Sequence, residues 1–263
     1  EIKKSKIKDQ RVYFRMGTKW KIIKKLDEGG FGSVYKVQHI KFPDRLAALK
    51  VEPSEADEEN HLKQETHLLK AIHGSDRKPH VPLLLRSGKK KAYCYIIMSL
   101  LGDNLRKLKD KYFPKGMALR TWSRIGVQCL YAIKIMHDRG YVHRDIKAQN
   151  FVLGYAATPA YARVVHIIDF GLARCFAFPH GSPVRKWTAR KARPKLEFRG
   201  TFKYASPSMH EEKEQGRKDD IWSFLYMMMD LYCGLPWQDA ETRKVVETKK
   251  LYMKDKDLMV KMP

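Results

Sequence analysis

Between residues 20 and 51 the chain alternates apolar and polar positions in short runs. WKIIKKL comes first, then EGGFGSVYKVQ around a glycine turn, then RLAALKVE. A period of two with β-forming residues on either side of glycine predicts three strands. The period then lengthens. Leu62, Glu65, Leu69 and Ile72 step by three, four and three, which puts them on one face of a helix over residues 55–73. KAYCYIIMSLLG predicts a strand running into a loop at Gly102. Trp122, Ile125, Cys129, Ile133 and Met136 keep helical spacing, and Gly140 suits the cap just past that helix. ARVVHIIDFG reads as a short buried strand, residues 174–200 as irregular and basic, and residues 219–233 as a thickly apolar helix. Strands crowd before about residue 100 and helices after it. That segregation predicts an α+β fold of two lobes and not an alternating βαβ sheet.

Composition narrows the class. The 263 residues are 43% hydrophobic and 31% charged, enough for a sizeable core and too apolar for general disorder. The most apolar stretch, residues 221–237, contains Asp230 and falls short of a membrane span. No early apolar run resembles a signal peptide. Cys94, Cys129, Cys175 and Cys233 are far apart and form no C-x-x-C pair, the usage expected of reduced thiols in an intracellular protein. A first residue of Glu1 in place of Met is what a piece of a longer protein would show. The formal net charge is +24 and unevenly spread: residues 1–25 hold ten Lys/Arg against two acids, and residues 185–203 hold eight against Glu197. Such a field favours an anionic partner without specifying which.

Several residue types stand where chemistry needs them. Gly29, Gly30 and Gly32 sit between two strands, where glycine lets backbone N–H groups close on phosphate oxygens; a plain hairpin would use them too. Lys50 ends an apolar strand and Glu65 interrupts the apolar stripe of the next helix. The two read either as a partnered buried pair or as a snorkelling lysine and an exposed acid. In YVHRDIKAQN, Asp145, Lys147 and Asn150 can converge on one spot of an extended loop: an acceptor for a hydroxyl proton, a cation for a transferring phosphate, and an oxygen for magnesium. Asp169 follows 24 residues after Asp145, at the end of the buried IID, placed for a second magnesium contact or for capping a turn.

Glycine loop, strand Lys50, helix Glu65, HRDIKAQN and DFG occur in the order and spacing of the protein-kinase signature set. The whole chain resembles a eukaryotic protein kinase. GTFKYASPSMH, MSLLGDNL and GRKDDIWSFLYMMMDLYCGLPWQ resemble the casein kinase 1 superfamily, and ALKVE, EFRGT and LMVKMP are most similar to its tau-tubulin kinase branch. The resemblance implies a β-rich small lobe over residues 1–98, with a basic N-terminal arm, and a helical large lobe over residues 99–263 that is incomplete at its C-terminus. It implies ATP and Mg2+ as cofactors. Gly29, Gly30, Gly32 and Val34 would cover the nucleotide, and Ala48 would pack on adenine. Met98 would be the gatekeeper, and Ser99 and Leu101 would offer backbone groups. Lys50 would contact phosphates and pair with Glu65. Asp145 would act as base, Lys147 would stabilise the γ-phosphoryl group, and Asn150 and Asp169 would bind magnesium. Lys147 in HRDIKAQN is similar to the residue of serine/threonine kinases.

The resemblance also implies protein substrates that are acidic or already phosphorylated, met by the basic segment. Lys203 stands where that superfamily has an anion-binding arginine, and Lys249 or Lys250 could complete the site. A monomer in the cytoplasm, without a specific nucleic acid or a membrane span, is expected. Two departures stand out: Asp27 replaces the first glycine of the phosphate loop and Ala148 replaces a proline. Asp27 lends support to an alternative, a pseudokinase scaffold on the same fold. A nucleic-acid-binding protein driven by charge is the other alternative; the sequence has no stacking or zinc motif at readable spacing.

Overall fold

A computed structural model of the chain describes residues 20–29, 32–54, 61–74, 76–180, 186–194, 196–240 and 242–263. The chain divides into two compact units, one of residues 1–66 and 83–100, the other of residues 67–82 and 101–263.

The first unit is built on a five-stranded antiparallel sheet. Its strands are β1 (Trp20–Gly29), β2 (Gly32–His39), β3 (Leu46–Pro53), β4 (Leu84–Lys89) and β5 (Tyr93–Ser99), in the order β1-β2-β3-β5-β4. Helix α1 (His61–His73) starts in this unit and runs past the dividing point. The period of two sorts β3 cleanly. Ala47 and Leu49 join Val37, Tyr95 and Ile97 in a buried cluster flanked by Trp20, Ile22, Tyr35, Val51 and Tyr93. The alternate residues Ala48, Lys50 and Glu52 face the other side. The predicted helix over residues 55–73 is present as α1 from His61; residues 55–60 lie outside the described residues.

The second unit opens with β6 (Leu101–Asn104), α2 (Leu105–Tyr112) and α3 (Leu119–His137). Short strands follow: β7 (Tyr141–Val142), β8 (Phe151–Gly154), β9 (Val165–Ile167), β10 (Arg174–Cys175), β11 (Ala177–His180) and β12 (Lys186–Ala189). Helices α4 (Pro207–His210), α5 (Arg217–Tyr232), α6 (Arg243–Tyr252) and α7 (Asp255–Met259) complete it. Asn104 caps α2 by accepting the Lys107 N–H at 2.9 Å. Buried Gly126, Cys129, Ala132, Ile133 and Met136 form the inner stripe of α3, close to the helical spacing read from the sequence. Two readings change. Gly102 lies inside β6, paired to β8, and not in a loop. Residues 174–200 are not wholly irregular: β10 pairs with β7, and β11 pairs with β12 as a hairpin. Strands of two and four residues, one carrying Pro179, are too short to show a period. All four cysteines are free thiols. No helix among the described residues is long and apolar enough to cross a membrane.

Leu49 is 2% exposed at the centre of the first unit's cluster. Leu49→Ala should cost about 2–5 kcal/mol and lower the urea midpoint of unfolding accordingly. An unchanged midpoint would contradict the packing described for that sheet.

Candidate active site

The site residues fall into two sets, one in each unit. In the first, Val34 lies opposite Lys50 in the β2–β3 ladder, and Ala48 lies opposite Met98 in the β3–β5 ladder. Directly opposed residues share a face, so the sheet brings Val34, Ala48, Lys50 and Met98 to one side. Lys50 Nζ donates to Glu65 Oε2 at 2.8 Å, and Glu65 is 1% exposed. The paired reading of these two residues holds, and the snorkelling one does not. A Cβ on Gly32 would stand 2.1 Å from the Val51 carbonyl oxygen, so only glycine lets β2 close on β3 there. Gly29 has open space where a Cβ would be; Gly30 lies outside the described residues. Ser99 N–H donates to the Leu83 carbonyl at 3.0 Å and its Oγ accepts from Leu83 N–H at 3.0 Å. Any backbone group that Ser99 offers a nucleotide is therefore its carbonyl.

Glu52 was not singled out in the sequence. It is 6% exposed, its Oε2 accepts the Leu62 N–H at 3.2 Å at the start of α1, and its Oε1 has no hydrogen-bond partner among the described residues. Burial raises its carboxyl above the ordinary range, against the opposing pull of Lys50, His61 and the Leu62 N–H.

In the second unit the loop after β7 is held from α5. Asp220 Oδ2 accepts the His143 N–H at 2.8 Å and Oδ1 accepts the Arg144 N–H at 2.9 Å. Arg144 takes a positive φ of 68°, so the chain turns sharply into Asp145. Asp145 Oδ1 accepts the Thr201 hydroxyl at 2.8 Å, and Lys147 Nζ stands 2.6 Å from Oδ2. Asn150 Nδ2 donates to the Asp145 carbonyl at 2.9 Å and to Oδ2 at 3.3 Å. Phe151 pairs with Ile167 across β8–β9, and Ile168 N–H donates to the Asn150 carbonyl at 2.9 Å. That register carries Asp169, at φ 66°, to the same end of the ladder as Asn150. An ion pair and hydrogen bonds thus join Asp145, Lys147 and Asn150, while the register places Asp169 at the same end of the ladder.

The basic segment is more internally committed than its charge suggests. Arg193 grips Glu214 through Nε at 2.8 Å and its second terminal nitrogen at 3.0 Å, and Arg174 Nε lies 3.5 Å from the same carboxylate. This fork holds the Glu214 carboxyl below its usual range. Burial, with Arg193 and Arg174 nearby, pulls the Arg144 guanidinium down to about 10. Lys203 Nζ pairs with buried Asp230 at 3.1 Å; the same carboxylate takes the Tyr204 hydroxyl at 2.6 Å and Arg106 at 3.2 Å. Lys249 donates to the Pro236 carbonyl, and Lys250 is buried on backbone carbonyls. Arg185 and Lys195 lie outside the described residues.

Residues 20–261 match the family model of the protein kinase domain. The chain belongs to the protein kinase family. It is 45% identical over 203 residues to the inactive tau-tubulin kinase ttbk-6 of Caenorhabditis elegans, covering 76% of this chain and 70% of that protein. A second nematode protein, provisionally named a serine/threonine-protein kinase, is 38% identical over 248 residues (94% and 69%). A third, provisionally named a casein kinase I, is 33% identical over 226 residues (85% and 63%). These relatives agree with the casein kinase 1-like, tau-tubulin kinase-like resemblance and with a two-lobed α+β kinase fold.

A protein kinase domain uses ATP and a divalent metal. The donor set fits a hard cation. Asn150 directs its amide nitrogen at Asp145, which leaves its side-chain oxygen as an acceptor, and Asp169 adds a carboxylate at the same end of the ladder. Sequence reading did not single out Glu52 of the first unit, or Thr201 and Asp220 of the second. The buried acids had one visible signal, carboxylates within or beside apolar helix and strand runs. Thr201 had none.

The raised Glu52 carboxyl has a direct consequence for stability. In the unfolded chain it ionises near 4.5, and below that value both states are neutral. As pH rises through the higher folded value, the folded state alone resists ionisation and stability is lost. Glu52→Gln should therefore unfold at higher temperature than wild type at about pH 7, with the difference closing toward about pH 4. A pH-independent difference in melting temperature would refute the raised carboxyl.

Proposed function

We propose that the protein is a catalytically competent serine/threonine kinase that moves the ATP γ-phosphoryl group to Ser or Thr hydroxyls of protein substrates. Residues 1–98 would form the nucleotide-facing lobe and residues 99–263 the substrate-facing lobe. The observation that carries this reading is the environment of Asp145: one oxygen accepts a threonine hydroxyl at 2.8 Å while Lys147 stands 2.6 Å from the other. A substrate hydroxyl needs the same two neighbours. The carboxylate orients it and takes its proton as oxygen attacks the γ-phosphorus, and the bond to the β-phosphate oxygen breaks to release ADP. The ammonium offsets charge that spreads over the transferring oxygens. Lys50, kept in place by Glu65, would meet the α- and β-phosphates, and Val34, Ala48 and Met98 would line the adenine side with backbone groups of Ser99 and Leu101. Magnesium, held by Asn150 and Asp169, would supply further neutralisation of phosphate charge when bound.

The net charge of +24 favours acidic or phosphorylated proteins as substrates. Lys203 would contact such an anion in competition with Asp230, its partner at 3.1 Å. A monomer in the cytoplasm is the setting that fits free thiols and a protein substrate.

A second reading has its own support. The similar ttbk-6 carries the word inactive in its name. In addition, Asp27 Oδ1 accepts the Glu28 N–H at 2.9 Å, which withdraws from the phosphate loop a donor that glycine would leave open. A scaffold that binds nucleotide without efficient transfer would have these features.

Transfer of labelled γ-phosphate to casein decides between them. Wild type should label serine and threonine, and Asp145→Asn and Lys50→Met should each lose about 10²–10⁴-fold in kcat. Nucleotide binding by wild type without transfer would replace the kinase reading with the scaffold; full transfer by either variant would refute the assigned roles.

A further inference from the structure

Lys250 is a lysine on the inward stripe of α6, beside Val246 one turn earlier, and it is 8% exposed. No carboxylate among the described residues pairs with it. Its Nζ instead donates to the carbonyls of Phe202 at 2.9 Å and Ala205 at 2.6 Å and lies 3.4 Å from His210 Nε2. The rings of Tyr226 and Trp237 enclose it at 4.7 and 5.1 Å. Burial pulls its ammonium down to about 6. Either protonation state keeps the two N–H groups that the carbonyls need.

The two carbonyls belong to one short segment. Within it, Tyr204 N–H donates to Thr201 O and Ala205 N–H to Phe202 O, a turn that brings both acceptors to the same side. Trp237 Nε1–H donates to the Lys203 carbonyl between them at 2.9 Å. This segment begins at Thr201, whose hydroxyl is on Asp145, and ends at Ser206, which donates to Asp219 at 2.7 Å. A buried amine without these carbonyls would be costly, and the carbonyl of Ala205, a residue 1% exposed, would lose its donor without the amine. The amine and the turn therefore hold each other.

We infer that Lys250 is a positioning residue for protein-substrate phosphorylation: it staples the 201–206 turn from α6 and so sets Thr201 against Asp145. This rests on the kinase reading above. The described contacts of Lys250 are Phe202, Ala205, His210, Tyr226 and Trp237, none of them a residue assigned to ATP or to the reacting atoms. The role therefore predicts a loss confined to the protein substrate.

The test compares wild type, Lys250→Met and Lys250→Gln in the full chain, by hydrogen exchange over residues 201–206, ATP binding, and casein kinetics. Met fills the aromatic cage without donors, and Gln keeps two N–H groups. Lys250→Met should speed exchange over the turn about tenfold or more. It should also cut kcat/KM for casein about 10–100-fold, with ATP affinity held within about twofold. Lys250→Gln should lie nearer wild type on each measure. Unchanged exchange over 201–206 in Lys250→Met would overturn the inference, as would an equal loss of ATP affinity. Should Lys250→Met not fold, exchange in Lys250→Gln decides: a turn less protected than wild type supports the staple, and full protection with lost casein turnover rejects it. Absence of casein labelling by wild type would sink the kinase reading alone, because the exchange measurement needs no turnover.

Discussion

Asp220 takes three hydrogen bonds on two oxygens: the His143 and Arg144 N–H groups and the His137 ring at 2.8 Å. It is 2% exposed, so its charge would be expensive without these donors. Charge-assisted bonds to backbone N–H groups are among the stronger ones, and here they fix two successive peptide units. That constraint lets Arg144 hold a positive φ and delivers Asp145, Lys147 and Asn150 to one place. Remove the carboxylate and both successive N–H groups lose their acceptor.

The same helix repeats the device. Asp219 of α5 accepts the Ser206 hydroxyl and the Gly216 N–H, both at 2.7 Å, and Asp230 collects Lys203, Tyr204 and Arg106. Three buried acids on one apolar helix thus reach three different stretches: the loop of Asp145, the start of α4, and the turn before it. Lys250 of α6 donates to two carbonyls of that turn. The helix looks like core in composition, yet its polar minority organises the surface where a substrate hydroxyl would arrive.

The charge of the segment between Asp169 and Tyr204 has a divided role. Arg193, Arg174 and Lys203 have acidic partners within the unit, so part of the excess serves local order. Arg190 and Lys191 are exposed and add to the field a diffusing anion would sense. Attraction and shape are therefore carried by different residues of the same basic run.

Periodicity and residue chemistry were readable along the chain because both are local. The alternation in residues 20–51, the helical spacing near Cys129, and the clustering of His143, Asp145, Lys147 and Asn150 need only neighbours a few positions away. Partner choice is not local. Lys50 meets Glu65 across 15 residues and Asp145 meets Thr201 across 56, and the fold alone decided that Lys203 turns toward Asp230 and that Lys250 faces carbonyls instead of an anion. The hairpin of β11 and β12 escaped notice for a related reason, since four-residue strands have too few positions to display a pattern. The sequence by itself determined the candidate set for phosphoryl transfer, because residue type and spacing are local. Only the tertiary structure decided which charges neutralise one another, because that depends on distances set by strand register and helix packing, which no local pattern encodes.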